Sequence, residues 1–130
     1  LVHDESNARN EYINNIISND YTFCYRGNAN YSLRLYETLC LGRIPLFIDT
    51  DCVLPLMGKI NWKEICLWVD QSEIEFIDKK ILDYHQSMNS KEYTEKQLYC
   101  REVWLKYFSK EGFIKYLYQF LIHNKSIDKS

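Results

Sequence analysis

The chain has 130 residues, of which 46% are hydrophobic and 15% aromatic, and this composition excludes a disordered tail. Its 16 lysines and arginines against 18 aspartates and glutamates leave a net charge of −2, which argues against a nucleic-acid-binding protein with a broad basic face. No apolar run approaches the roughly 20 residues that span a bilayer. The length predicts one domain, and we expect the chain to be a piece of a longer protein because it lacks an initial methionine.

The five cysteines do not form a metal-binding or disulfide pattern, because their number is odd and no Cys-x-x-Cys pair occurs. Cys24, Cys40 and Cys66 lie in apolar stretches and are predicted to be buried and reduced. No histidine lies at ligand spacing from a cysteine, so no metal site is expected. A reducing, cytoplasmic location fits this pattern best, while a disulfide-bonded secreted parent and a membrane-associated or Golgi-lumenal parent stay open as alternatives.

The first half of the chain predicts a helix, a strand, a second helix and a second strand in turn. Ser6 is a candidate N-cap of the first helix, and Gly42 is a candidate C′ residue after the second. The second strand is nearly all apolar, as expected for a parallel strand that is covered on both faces. The predicted ranges are 6–18 and 32–41 for the helices and 21–25 and 44–49 for the strands.

The second half predicts a loop over 50–60, a third strand and three further helices. Trp62 is predicted to begin the third strand region, whose centre is 65–69. Ser72 and Glu75 form a capping-box pattern at the start of the next helix. The last two helices are predicted over 91–108 and 113–123, and residues 124–130 are expected to form a frayed tail.

The strand–helix–strand order over 21–49 is typical of a βαβ crossover, which implies a parallel sheet with a right-handed connection. The predicted fold class is therefore α/β, a Rossmann-like partial parallel sheet of about three strands with flanking and C-terminal helices. A doubly wound domain commonly has about six strands. Residues 1–123 are accordingly interpreted as a half-domain, the back half of a larger fold.

Side chains that can bind a phosphate cluster where the first strand ends and the second helix begins. Ligands of open α/β sheets bind beyond the carboxyl ends of the strands, and the N–H groups at a helix N-terminus suit an anion. Gly27 allows a ligand to approach the backbone closely, and Arg26 and Arg34 can each neutralise phosphate oxygens. The carboxylate of Glu37 can accept hydrogen bonds from a ribose diol.

Helical spacing predicts that Arg34 and Glu37 share one face of the second helix, together with Thr38 and Leu41. The simpler alternative for this pair is a surface ion pair worth about 0.3 kcal/mol. The other residues of the helix are predicted to pack against the sheet, and they are Leu33, Leu35, Tyr36, Leu39 and Cys40.

Five short motifs together resemble a known family. They are Tyr-Thr-Phe-Cys-Tyr-Arg-Gly (21–27), Ser-Leu-Arg-Leu-Tyr-Glu (32–37), Gly-Arg-Ile-Pro-Leu-Phe-Ile-Asp (42–49), Leu-Pro-Leu (54–56) and Ile-Asn-Trp (60–62). Their order and spacing resemble the C-terminal half of the exostosin-like glycosyltransferases of the GT47 type. The resemblance extends over roughly residues 7–121.

This resemblance implies an enzyme of the GT-B fold, in which two Rossmann-like halves enclose the substrates. The chain would be the C-terminal half, which holds a nucleotide-sugar donor, typically UDP-linked, for transfer to a glycan acceptor; the N-terminal half is missing. By analogy Arg34 would contact the diphosphate, Glu37 the ribose, and Ser32 and Gly27 would belong to the phosphate loop. Arg26 and Asn28 are further candidate nucleotide-sugar-binding residues. No bound metal or other cofactor is expected, and no catalytic base is identifiable in this chain.

Arg43 replaces the cysteine that is usual in the family, and it is expected to be solvated, with a third charge near the phosphates as the alternative. Asp49 and Asp51 are interpreted as a solvated turn at the strand end, with a metal-binding pair as the alternative, and His85 as a surface or packing residue. The aromatic residues of the C-terminal helices are interpreted mainly as core, with some facing the absent half.

Two other functions remain open. One is a fucosyltransferase-like GT-B half that uses a GDP-sugar, although that family has Thr-Glu-Lys where this chain has Tyr36, Glu37 and Thr38. The other is a non-catalytic α/β interaction domain that keeps the same scaffold.

Overall fold

A parallel sheet of three strands forms the centre of the computed structural model, which describes residues 5–127. The strands are β1 (Tyr21–Cys24), β2 (Ile44–Asp49) and β3 (Leu67–Asp70), in the order β1-β2-β3. In this register Phe23 lies opposite Leu46, and Phe47 lies opposite Trp68. The predicted α/β fold class, with three parallel strands and flanking helices, is confirmed.

Six α-helices and one 3₁₀ helix surround this sheet in the described part of the chain. The α-helices are α1 (Glu5–Ser18), α2 (Leu33–Cys40), α3 (Trp62–Ile65), α4 (Ile77–Gln86), α5 (Ser90–Tyr107) and α6 (Lys110–Ile127), and the 3₁₀ helix is Gln71–Phe76. None of the helices among these residues is both long and apolar enough to span a membrane.

Strand β2 is the most deeply buried of the three because helices cover both of its faces. On one face Phe47 and Cys24 pack with side chains of α2, α3 and α5. On the other face Leu46 and Ile48 pack against Leu67 and Val69 of β3 and against residues of α4. Burial of each such aliphatic side chain stabilises the fold by about 2 kcal/mol, so β2 is the main organising element of the core.

Two predicted boundaries in the first half of the chain are wrong. Helix α1 already includes Glu5, so Ser6 lies inside its first turn and is not the N-cap. Trp62 begins the short helix α3 and not a strand, and its indole Nε1 donates to the carbonyl of Pro55 at 2.8 Å. This hydrogen bond holds the preceding loop against the helix. The local alternation of apolar residues that predicts a strand carries no information about such a contact.

The later helices also begin at other residues than those predicted. The carboxylate of Asp70, and not Ser72, caps the next segment, which is a 3₁₀ turn before α4. Helix α5 begins with a capping box formed by Asn89 and Glu92, which the sequence analysis missed. Helix α6 begins at Lys110 and continues to Ile127, so residues 124–127 of the expected tail are helical, and 128–130 lie outside the described residues.

All five cysteines are free thiols, which confirms the predicted reduced state of Cys24, Cys40 and Cys66. Cys24 and Cys66 are buried as predicted, whereas Cys40 is only half-buried, and Cys100 is a further buried thiol. Burial raises the pKa of Cys24 to about 12, because the thiolate would lose its hydration inside the core. These thiols therefore act as small core hydrophobes.

The aromatic C-terminal helices are only partly core. Tyr107 is buried and packs edge-on against Tyr116. Phe113, Tyr118 and Phe120 of α6 are each at least half exposed, so the interpretation as core is wrong for them. Helix α6 contacts α5 but lies away from the sheet, and one neighbouring helix cannot cover all of its apolar positions.

Candidate functional site

The carboxyl ends of the strands form one edge of the sheet, and the loops after β1 and β2 meet there. The side-chain amide of Asn30 donates to the carbonyl of Thr50 at 3.1 Å, and the Thr50 hydroxyl donates to Asn30 Oδ1 at 2.5 Å. This double hydrogen bond joins the two loops. The first loop is also closed on itself, since the amide of Gly27 donates to the carbonyl of Tyr31.

Helix α2 begins at this edge, with Ser32 as its N-cap. Ser32 is buried and has extended backbone angles, but its side chain makes no capping hydrogen bond. The first turn of a helix has N–H groups without intrahelical acceptors, and a capping side chain normally satisfies one of them. The first turn of α2 therefore keeps donors that an anion can use.

Arg34 and Glu37 lie on the same face of α2, as predicted, and side chains of helix α1 contact both of them while Glu37 stays exposed. The guanidinium of Arg34 donates to Asn15 Oδ1 at 2.6 Å and lies 5.0 Å from the ring centroid of Tyr12. The hydroxyl of Tyr12 donates to Glu37 Oε2 at 2.5 Å. Among the residues that the structure describes, Arg34 and Glu37 do not pair with each other, so the surface ion-pair alternative does not hold.

One donor of Arg34 is not satisfied. Its Nε is buried and has no hydrogen-bond partner in the described structure. A buried donor without an acceptor costs about 1–3 kcal/mol, and a charged group costs more. Burial of the Tyr12 hydroxyl is the largest cause that raises the pKa of Tyr12 to about 12, and its hydrogen bond to the Glu37 carboxylate is the next. Arg34 therefore remains a cation with an unused hydrogen-bond donor. It lies near the carboxylate of Glu37, which Tyr12 holds in place.

The three loop residues of the predicted site, Arg26, Gly27 and Asn28, are exposed at the same edge. A side chain at Gly27 would meet no atom within 4 Å, so a ligand has room to approach the backbone there. The structure thus places all six predicted residues on one segment, but it does not enclose them in a single closed pocket.

Two packing predictions for α2 are wrong. Thr38 is fully buried, and its hydroxyl donates to the carbonyl of Arg34 at 2.6 Å, which turns it towards the core. Leu33 is 66% exposed because it lies in the first turn, beyond the end of the sheet. Leu35 and Leu39 are buried as predicted.

Three other residues singled out in the sequence have structural roles outside the predicted site. Arg43 is half-buried and donates to the carbonyls of Ile17 and Gly42, so the expectation of a solvated side chain is wrong. His85 is exposed and its Nδ1 lies 2.8 Å from the hydroxyl of Tyr21, which confirms a surface or packing role. Asp49 Oδ1 accepts from the amide of Asp51, which confirms a turn at the strand end.

The sequence analysis missed two features of this edge. Tyr12 and Asn15 of α1 hold the side chains of Glu37 and Arg34 through hydrogen bonds. The sequence signal for these contacts is that Tyr12 and Asn15 are three residues apart and so share a helix face. A hollow of about 550 Å³, called the β2 hollow below, lies beyond the end of β2. Asp49, Leu54, Lys59, Asn61, Lys63 and Trp68 are among the residues that line it.

Comparisons with curated proteins give several significant matches. Over 58 residues (45% of this chain and 14% of the relative), the chain is 36% identical to the Arabidopsis thaliana protein named "Probable beta-1,4-xylosyltransferase IRX10L". It is 34% identical over 77 residues, 59% of this chain, to "Probable glucuronosyltransferase 47 A" of Physcomitrium patens. It is 35% identical over 71 residues, 52% of this chain, to Exostosin-1 of Drosophila melanogaster.

The chain spans only a small part of these relatives, 16% of the Physcomitrium protein and 9% of the Drosophila protein. No family model matches the chain, and no solved structure does. The resemblance noted from the motifs is confirmed over about half of the chain.

Proposed function

We propose that this chain, similar over about half its length to exostosin-like glycosyltransferases, is the donor-binding part of a glycosyltransferase. It would bind a nucleotide-diphosphate sugar, UDP-linked, and present the sugar for transfer to a glycan. The observation that carries this proposal is the N-terminus of α2, where an uncapped first turn lies beside a cation with an unpaired buried donor and a fixed carboxylate.

The diphosphate is assigned to the first turn of α2. The N–H groups there and the positive end of the helix dipole favour phosphate oxygens. Arg34 adds a charged donor from the same helix, and a small movement of its side chain would let Nε reach a phosphate oxygen. These groups would stabilise the negative charge that develops on the departing nucleotide, which is the role that a metal ion has in other transferases.

The ribose is assigned to Glu37, one turn further along the helix. Tyr12 donates to Oε2 and holds the carboxylate in place, while Oε1 can accept from a ribose hydroxyl. The acceptor glycan and the catalytic base are assigned to a second half-domain outside this chain.

The experiment is a titration of the isotope-labelled chain with UDP and with GDP, followed by the amide resonances of residues 26–37. UDP should shift these resonances more than GDP does. Arg34→Ala should weaken UDP binding by at least about tenfold, because it removes a charged donor to phosphate. Glu37→Gln should weaken UDP binding by a smaller factor, and Arg9→Ala, an exposed arginine of α1, should leave it unchanged.

Arg34 also contacts α1, so its loss can loosen that helix. Arg34→Lys keeps the charge and serves as the second variant, and a thermal melt of each variant separates unfolding from lost affinity. Resonances of 26–37 that do not move with millimolar UDP in the folded protein would refute the assignment.

A further inference from the structure

A second hollow, called the α2–α5 hollow here, lies between the last turn of α2 and helix α5. Its volume is about 580 Å³, and the residues that line it include Cys40, Gly42, Arg43, Thr94, Gln97 and Arg101. It lies beside the residues that precede β2, whereas the β2 hollow lies beyond the other end of that strand. The described residues that line the two hollows are all different, so the α2–α5 hollow is separate from the proposed nucleotide-sugar site.

The guanidinium of Arg101 is held in place at this hollow. Its Nη1 donates to the carbonyl of Cys40 and also to Cys40 Sγ, the latter at 3.5 Å. The indole of Trp104 contacts the same group, with its ring centroid 4.8 Å from Arg101 Cζ. Arginine has five N–H donors, and both of these hydrogen bonds come from one nitrogen. Within the described part of the chain, the donors on Nε and Nη2 are therefore free to bind a ligand.

Arg43 is anchored in a similar way. Its Nε donates to the carbonyl of Ile17 at 3.2 Å, and its Nη1 donates to the carbonyl of Gly42 at 3.3 Å. These two hydrogen bonds leave Nη2 without an acceptor among the residues that the structure describes. Unlike Nε of Arg34, the free donors of Arg43 and Arg101 are not buried, so a ligand can reach them from the solvent.

The two arginines place two positive charges on one hollow. Their guanidinium groups are bound to the carbonyls of Cys40 and Gly42, and two residue steps span at most about 7 Å. The described lining contains no carboxylate, and neither arginine forms an ion pair within the described residues. The C-terminus of α2 carries only about half of a negative charge, which cannot balance two guanidinium groups. The hollow therefore favours an anion that carries more than one charge.

Close packing between α2 and α5 fixes the floor of the hollow. Gly42 has a φ of 62°, and a Cβ at this position would lie 3.4 Å from Cβ of Arg101 and 3.5 Å from the carbonyl oxygen of Gln97. The end of α2 thus packs directly on α5, which holds both arginines in position before a ligand arrives. Such preorganisation lowers the entropic cost of binding.

We propose that the α2–α5 hollow binds a phosphate group. Arg43 and Arg101 each donate to its oxygens, because the planar donor fork of a guanidinium matches the geometry of phosphate. The volume of about 580 Å³ leaves room beyond the phosphate itself, so the group can be a free ion or part of a small organic molecule. This inference is independent of the proposed function, since it uses no residue of the nucleotide-sugar site.

The test is a titration of the isotope-labelled chain with inorganic phosphate and with glycerol 3-phosphate, at constant ionic strength, with acetate as the control anion. The readout is the Nε–H resonances of Arg43 and Arg101 together with the amides of 40–43 and 94–101. Phosphate should give saturable shifts, and acetate, which has a single charge, should give much smaller ones. Saturation with inorganic phosphate alone identifies the free ion as the ligand, and saturation with glycerol 3-phosphate alone identifies an organic phosphate.

Arg43→Met and Arg101→Met should each weaken phosphate binding by about tenfold, because each removes charge-assisted hydrogen bonds. The double variant should show no saturable shift. Arg9→Met, at an exposed arginine of α1, is the matched control and should bind as the parent chain does. Both arginines of the hollow also bind backbone carbonyls, so a thermal melt of each variant checks that it is folded. Arg43→Lys and Arg101→Lys keep the charge and should bind with intermediate affinity.

Three results would overturn the proposal: shifts that do not saturate, equal shifts with acetate, or phosphate binding that both methionine variants retain. Variants that lose stability but keep their affinity would show that the two arginines only cap α2. If the methionine variants do not fold, the lysine variants and the titration of the parent chain decide between these outcomes.

Binding at the α2–α5 hollow is distinguishable from binding at the proposed nucleotide-sugar site. Phosphate at the N-terminus of α2 would shift the resonances of 26–37, and Arg34→Ala should remove those shifts without changing those of 94–101. If UDP leaves 26–37 unmoved while phosphate still shifts 94–101, the proposed function fails and the α2–α5 site remains.

Discussion

The two ends of the same sheet are built differently. At the amino end hydrogen bonds join neighbouring elements, since Tyr21 contacts His85 at 2.8 Å and Tyr93 donates to the carbonyl of Asp20 at 3.1 Å, and the buried Tyr84 hydroxyl is the neutral group left without a partner there. At the carboxyl end Ser32 leaves α2 without a side-chain cap, and Arg34 keeps a buried donor without a partner.

The aromatic contacts reinforce this difference. The ring of Tyr21 packs edge-on against Tyr84, His85 and Tyr93, with centroids 5.7 to 6.3 Å apart. The carboxyl end has instead a residue with left-handed backbone, Asp51 at a φ of 57°. Strain and unsatisfied donors cluster at functional sites, where a ligand can use them. The amino end thus stabilises the fold, whereas the carboxyl end is less stable and keeps groups that can bind a ligand.

Alkaline pH should destabilise the amino end of the sheet, and acid pH should destabilise the carboxyl end. This is the largest effect that we expect. Burial raises the pKa of Tyr21 from 10.0 to about 12, with smaller contributions from Tyr93 and Asp20. The stability from the neutral phenol is therefore complete below pH 10 and is lost as the pH rises towards 12. Alkaline unfolding followed by circular dichroism should coincide with the deprotonation of Tyr21, followed by its ring resonances. Deprotonation of Tyr21 near pH 10 in a folded chain would contradict this.

In acid the carboxyl end should respond first. The hydroxyl and the amide of Ser72 lower the pKa of Asp70 from 3.8. The stabilisation of the 3₁₀ turn by this carboxylate is present above pH 3.8 and is lost as the pH falls through the lowered pKa. The amide resonance of Ser72 reports the step. An unchanged Ser72 amide through the protonation of Asp70 would contradict it.

Tyr21→Ala should be the most damaging single substitution at the amino end. The expected loss in the free energy of unfolding is about 3 kcal/mol, because the ring packs against both core clusters. The matched substitution at the carboxyl end is Arg26→Ala, which should change stability by less than about 0.5 kcal/mol but weaken UDP binding. Urea unfolding and UDP titration of both variants measure this contrast. Equal losses of stability would break the comparison.

Asp51→Gly should give a smaller effect of the opposite sign. Glycine adopts the left-handed region without a steric penalty, which stabilises the folded chain. The greater entropy of its unfolded chain offsets part of this gain, so the variant should be more stable by about 0.5 kcal/mol. Asp51→Ala is the control and should be slightly less stable than the parent chain, because alanine pays the penalty in full. A thermal melt of the three proteins gives the order, and a destabilised glycine variant would show that the Asp51 side chain itself holds the loop.

Much of the fold follows from local patterns. The apolar run of 44–49 predicted a strand covered on both faces, and Gly42 has the left-handed conformation, at a φ of 62°, that its C′ position requires. Where a local sequence pattern gave a wrong prediction, a hydrogen bond from another polar group determined the secondary structure. Trp62 forms a helix that is tied to Pro55, and Asp70 in place of Ser72 caps the turn before α4.

The candidate site shows the same division. The shared helix face of Arg34 and Glu37 follows from their spacing alone, because the arrangement of side chains along a helix depends only on backbone geometry. Their contacts with α1, and the position of Lys63 over Trp68, arise only when separate elements pack together. Such contacts join residues from different elements, and their formation depends on how those elements pack around the sheet, which no local periodicity encodes.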